Sequence, residues 1–121
     1  MKTTMILGRE FALHAAHNLA NYDGKCENLH GHTYRLQVQI KGSVGENGMV
    51  MDFAEIGRVV EDRVVSVLDH SYLNDVLGGT SSLEKLAEWV WNKLEDALPL
   101  ARLELWETDA NFLIYDGPTN G

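Results

Sequence analysis

From Thr33 to Lys41 the chain alternates without a break. Tyr34, Leu36, Val38 and Ile40 are apolar, while Thr33, Arg35, Gln37, Gln39 and Lys41 are polar. A period of two predicts a half-buried strand whose even positions face a core. Met5, Leu7, Phe11 and Leu13 repeat the pattern more weakly upstream, with Arg9 interrupting it. Gly42 to Gly48, rich in Gly and Asn, reads as a turn. The period then changes. Asp52 and Glu55 form a capping box, and Phe53, Ile56, Val60, Val64 and Val67 follow at helical spacing, so a helix is expected to about Leu68. His70 to Thr80 is a loop ending in Gly78-Gly79. Ser81 and Glu84 make a second capping box ahead of Leu83, Leu86, Ala87, Val90 and Leu94, and Pro99 stops that helix. Leu103 and Leu105 alternate with Arg102, Glu104 and Trp106 as a third strand. After the turn Asp109-Ala110-Asn111, Phe112 to Tyr115 is a fourth. The order β-β-α-α-β-β predicts an α+β fold, a four-stranded antiparallel sheet with two helices on one face.

Composition narrows the partners. A chain of 121 residues with 45% apolar and 23% charged side chains is expected to form one globular domain over residues 1–121. Eighteen acidic against ten basic residues give a net charge of −8, which disfavours nucleic acid. No apolar run approaches the roughly 20 residues of a membrane span, and the stretch around Met5-Ile6-Leu7 is too short for a signal peptide. The single cysteine, Cys26, excludes an internal disulfide, and a reducing cytoplasm is the expected location.

The chemistry is concentrated early. Four of the five histidines lie in His14-Ala15-Ala16-His17 and Cys26-Glu27-Asn28-Leu29-His30-Gly31-His32. His30 and His32 share the even, core-facing register of Tyr34 and Leu36, and residues two apart on one strand face can reach the same ion. His17 shares the odd register of Phe11 and Leu13, whereas His14 falls on the opposite face. Three neutral imidazoles, His17, His30 and His32, with a fourth position left open describe a catalytic zinc site. Cys26, beside Lys25 and four residues before His30, is placed to be a thiolate acting as base or nucleophile. Asp69 beside His70 can set the imidazole's tautomer and basicity. Glu107 continues the parity of Leu103 and Leu105, which puts a carboxylate at the end of an apolar strand face. That is costly unless it is paired, and a guanidine-like heterocycle edge is a suitable partner.

These residues together resemble the 6-pyruvoyl-tetrahydropterin synthase / 6-carboxy-5,6,7,8-tetrahydropterin synthase family. The resemblance is carried by Ala15-Ala16-His17, Cys26-x-x-x-His30-Gly31-His32, Gly48-Met49-Val50-Met51-Asp52-Phe53, Asp69-His70 with Leu73-Asn74, and Glu107-Thr108, and it spans nearly the whole chain. It implies the T-fold (tunnelling fold) and trimers or hexamers with active sites at subunit interfaces. It also implies Zn2+ on His17, His30 and His32, a catalytic triad of Cys26, Asp69 and His70, and a pterin anchor at Glu107 helped by Thr108. The sequence departs from the family in two places. Leu13 stands where the family commonly has Phe, and Ser81-Ser82-Leu83-Glu84-Lys85 replaces its usual Pro-Thr-x-Glu-Asn.

The reaction this resemblance implies is zinc-dependent conversion of 7,8-dihydroneopterin triphosphate to 6-carboxy-5,6,7,8-tetrahydropterin, acetaldehyde and triphosphate, on the queuosine (7-deazaguanine) route. Elimination of triphosphate to 6-pyruvoyl-tetrahydropterin is the nearest alternative. Glu27, beside Cys26, brings in a third, since some relatives with a glutamate at this spacing cleave the dihydroneopterin side chain for folate synthesis. A non-catalytic pterin-binding zinc protein is the alternative from another class, and the presence of Cys26, Asp69 and His70 together argues against it.

Overall fold

In the computed structural model, which describes residues 2–17 and 30–119 (residue 30 by its backbone only), the alternating segment lies inside the sheet. β1 (Thr4–His17), β2 (His30–Ser43), β3 (Leu100–Trp106) and β4 (Phe112–Tyr115) form one antiparallel sheet in the order β1-β2-β3-β4. Tyr34, Leu36, Val38 and Ile40 are all buried, and at about 1.5–3 kcal/mol for each fully buried side chain they fix the register of β2. A one-residue slip would exchange them for Arg35, Gln37, Gln39 and Lys41.

β1 is longer than its pattern suggests because Arg9 does not break it. Arg9 keeps the odd register, and its Nη1 donates to the carbonyl of Phe53 at 2.9 Å. Gly57 makes room for this: a Cβ there would sit 2.2 Å from the same Nη1. The positive side chain thus crosses from sheet to helix over a position that only glycine leaves open.

The helices lie between β2 and β3 in sequence. α1 (Phe53–Val60) passes through a π-helical turn, Glu61–Val65, into α2 (Ser66–Leu68). Asp52 is the N-cap and accepts from the Ala54 N–H at 2.9 Å. The reciprocal half of the expected capping box is missing, because Arg58 takes the Glu55 carboxylate. A short helix, α3 (Leu73–Leu77), occupies part of the segment expected to be loop, and Gly78, at φ 76°, ends it in a left-handed cap. α4 (Leu83–Leu94) starts one residue later than the capping box predicts. Its N-cap is Ser82, which accepts from the Lys85 N–H at 3.2 Å, while Ser81 turns inward.

The core lies between sheet and helices, built from β1 and β2 side chains, Leu103 and Leu105 of β3, Ile56, Val60, Val64 and Leu68, and the buried face of α4. Among the described residues no helix is long and apolar enough to cross a membrane. At the outer strands, Met5, Ile6, Phe112 and Ile114 are exposed.

Candidate metal centre and its cleft

β1 and β2 deliver the histidines. The antiparallel register pairs Leu13 with Tyr34, Ala15 with His32 and His17 with His30, so odd positions of β1 share a face with even positions of β2. On that face the rings of His17 and His32 meet edge-on, with centroids 5.2 Å apart, and both stand against the buried ring of Tyr34. The β2–β3 register pairs Arg35 with Trp106, which brings the next residue, Glu107, toward the His32 end of β2. Ligand atoms of His17, His32 and Glu107 all lie within 4.8 Å of one another. Tetrahedral donors at the usual zinc distances are about 3.4 Å apart, so small side-chain rotations would close this group on an ion.

The donor chemistry suits a metal. His17 is 1% exposed, and its Nδ1 lies 3.0 Å from the carbonyl oxygen of Ser81. A carbonyl only accepts, so Nδ1 carries the proton and Nε2 is the nitrogen left for an ion, the usual arrangement behind a ligating imidazole. Glu107 was expected only as a recognition group. The structure also puts its carboxylate within reach of both imidazoles, a non-local consequence of strand register that parity within β3 does not reveal. His30 pairs with His17 in the backbone register, but its side chain lies outside the described residues.

His14 faces the other way. Its Nδ1 lies 3.1 Å from the Thr33 hydroxyl, and its ring stacks on that of His70 with centroids 5.9 Å apart. Asp69 and His70 are tied to this part of β1 by the backbone. The Asp69 carboxylate accepts the His14 N–H at 2.8 Å, and the His70 N–H donates to the His14 carbonyl. His70 has φ 62°, a left-handed conformation costly for a non-glycine residue and characteristic of functional positions. Its Nε2 stands 3.6 Å from Asp69, too far for the direct hydrogen bond that adjacency in sequence suggests. The imidazole is 81% exposed. It lines, with His32, an open cleft of about 400 Å³. The cleft opens on the side of the sheet that carries His14 and Thr33, opposite the face that carries the rings of His17 and His32.

Thr108 builds the β3–β4 turn. Its hydroxyl oxygen accepts the N–H groups of Ala110 and Asn111 at 3.1 and 2.9 Å, and the Glu107 N–H donates to the Asn111 carbonyl at 2.9 Å. Cys26, Glu27 and Lys25 lie outside the described residues.

Residues 6–118 match the sequence model of the family described as 6-pyruvoyl tetrahydropterin synthase. The chain is 40% identical to the 6-carboxy-5,6,7,8-tetrahydropterin synthase of Synechocystis, over 93% of this chain and 94% of that protein. It is 35% identical to the 6-pyruvoyl tetrahydrobiopterin synthase of Dictyostelium discoideum, over 97% and 99%. Among solved structures, the Caenorhabditis elegans 6-pyruvoyl tetrahydropterin synthase superposes with a TM-score of 0.87 at 26% identity, covering 96% of this chain and 97% of that one.

Proposed function

The chain belongs to the 6-pyruvoyl tetrahydropterin synthase family, with its T-fold, and within that family we propose a zinc-dependent lyase that makes 6-carboxy-5,6,7,8-tetrahydropterin. The observation that carries this reading is the grouping of His17, His32 and Glu107 within reach of one ion. His17, His30 and His32 would hold the ion, with Glu107 at its margin. Zinc, when bound, would acidify the side-chain hydroxyls of a dihydropterin. The substrate is 7,8-dihydroneopterin triphosphate, which with water yields the carboxytetrahydropterin, acetaldehyde and triphosphate. The 40% identity to a carboxytetrahydropterin synthase favours this product, and the 35% identity to a pyruvoyl-forming relative keeps triphosphate elimination as the second reading. Analysis of the products by mass, together with counting acetaldehyde against triphosphate, tests the choice.

The chain's own residues divide the work. The Cys26 thiolate would take and return the proton moved between substrate carbons. His70, held by the His14 backbone and exposed to the cleft, would exchange that proton with Cys26, and Asp69, whose carboxylate accepts the His14 N–H, would hold this segment in place. Glu107 would accept two parallel N–H bonds from the amino-pyrimidine edge of the pterin, on a turn stiffened by Thr108. The exposed apolar side chains at the outer strands suit edge-to-edge addition of further copies into a trimer or hexamer, and the single cysteine suits the cytoplasm.

Glu107→Gln keeps the shape and removes the charge. Pterin binding, measured by titration of the metal-loaded protein, should weaken by about 1.5–3 kcal/mol, roughly 10- to 150-fold. Parental affinity in this variant would assign the carboxylate to another task.

A further inference from the structure

Ser81 and His17 are both 1% exposed and lie on different elements, one just ahead of α4 and the other at the end of β1. Besides its carbonyl contact with Nδ1 of His17, Ser81 places its hydroxyl oxygen 3.4 Å from the same nitrogen. That hydroxyl donates to Oδ1 of Asn74 at 2.8 Å. Its proton is thus directed at Asn74, and both Ser81 oxygens meet the imidazole as acceptors. Asn74 holds the intervening loop as well. Its Nδ2 donates to the Gly79 carbonyl at 2.9 Å, and its own carbonyl accepts the N–H groups of Gly78 and Gly79. The loop contains two consecutive glycines in left-handed territory, Gly78 at φ 76° and Gly79 at φ 136°. Glycines have the widest backbone freedom of any residue, so a carbonyl just beyond them stays in place only if something holds it.

We propose that Asn74 and Ser81 form a clasp that positions His17. The clasp fixes the Ser81 carbonyl and, through it, the tautomer and angle of the imidazole, which sets how tightly the site binds metal. The proposal rests on the reading of His17 as a metal ligand. Outer-shell partners of ligating histidines typically change metal affinity by about 10–100-fold when removed. Neither residue touches the metal or the substrate in this scheme; both are positioning residues. A serine buried only to pack the loop would behave differently, since its loss would lower stability and leave the metal affinity of the folded protein alone.

Cobalt(II) is a suitable probe, because its visible absorption reports ligand geometry and its affinity can be measured by competition with a chelator. Ser81→Ala and Asn74→Leu break the same link, and each should weaken cobalt binding by about 10-fold or more and shift the absorption bands. Ser81→Thr keeps the hydroxyl and should restore both toward the parental protein. His17→Ala should bind no cobalt at this site. Parental affinity and an unchanged spectrum in the folded Ser81→Ala protein, alongside loss of cobalt in His17→Ala, would overturn the clasp and leave the ligand assignment standing. A His17→Ala protein that binds cobalt normally would overturn the assignment and the clasp with it. If Ser81→Ala does not fold, Asn74→Leu decides by the same two measurements.

Discussion

His32→Ala is expected to lose bound metal and lyase activity together, with turnover falling by about 1,000-fold or more. Metal-assisted stabilisation of developing charge is worth several kcal/mol, and each 1.36 kcal/mol is a factor of ten in rate. The fold should be affected far less. His32 is only partly buried, and the apolar positions that order β2, Leu36, Val38 and Ile40, lie further along the strand. Elemental analysis and thermal unfolding of the same preparation separate the two effects. A His32→Ala protein with a full complement of metal would remove His32 from the ligand set.

The second large effect separates the candidate reactions. Forming carboxytetrahydropterin requires proton movement on the substrate, a task suited to a thiolate near the metal, and positioned acid–base groups are worth about 100- to 10,000-fold. Cys26→Ala should therefore suppress the carboxy product by a factor in that range, while Glu27→Ala retains most of it. Release of 6-hydroxymethyl-7,8-dihydropterin from dihydroneopterin should follow the reverse pattern if folate-type cleavage is the activity. A Cys26→Ala protein that makes the carboxy product at near-parental rate would contradict the primary reading, while the metal group of His17 and His32 would be unaffected.

The face of the sheet on which the histidines sit was legible from local alternation alone. Parity along Tyr34, Leu36, Val38 and Ile40 assigns His32 to the core side, and parity along Phe11 and Leu13 separates His17 from His14. The antiparallel register then brings His17 and His32 together without further information. What escaped the sequence depends on contacts between distant elements. Ser-x-x-Glu is a local signature that marks Ser81 as a helix cap, but burial against His17, 64 residues away, turns it inward and moves the cap to Ser82. Arg9 looked like a break in β1 because its partner, the Phe53 carbonyl, and the space left by Gly57 lie on another element. α3 is too short for a periodic signal, and only its Gly78 terminus was visible. Asp69 and His70 are neighbours in sequence, yet their placement is set by the backbone of His14.

The most direct measurement is the product balance of the zinc-loaded protein supplied with 7,8-dihydroneopterin triphosphate. Pterin products would be identified by mass, and acetaldehyde and triphosphate counted in the same reaction. The account predicts 6-carboxy-5,6,7,8-tetrahydropterin with acetaldehyde and triphosphate released in equal amounts. Triphosphate released without acetaldehyde, with 6-pyruvoyl-tetrahydropterin as the pterin product, would contradict it.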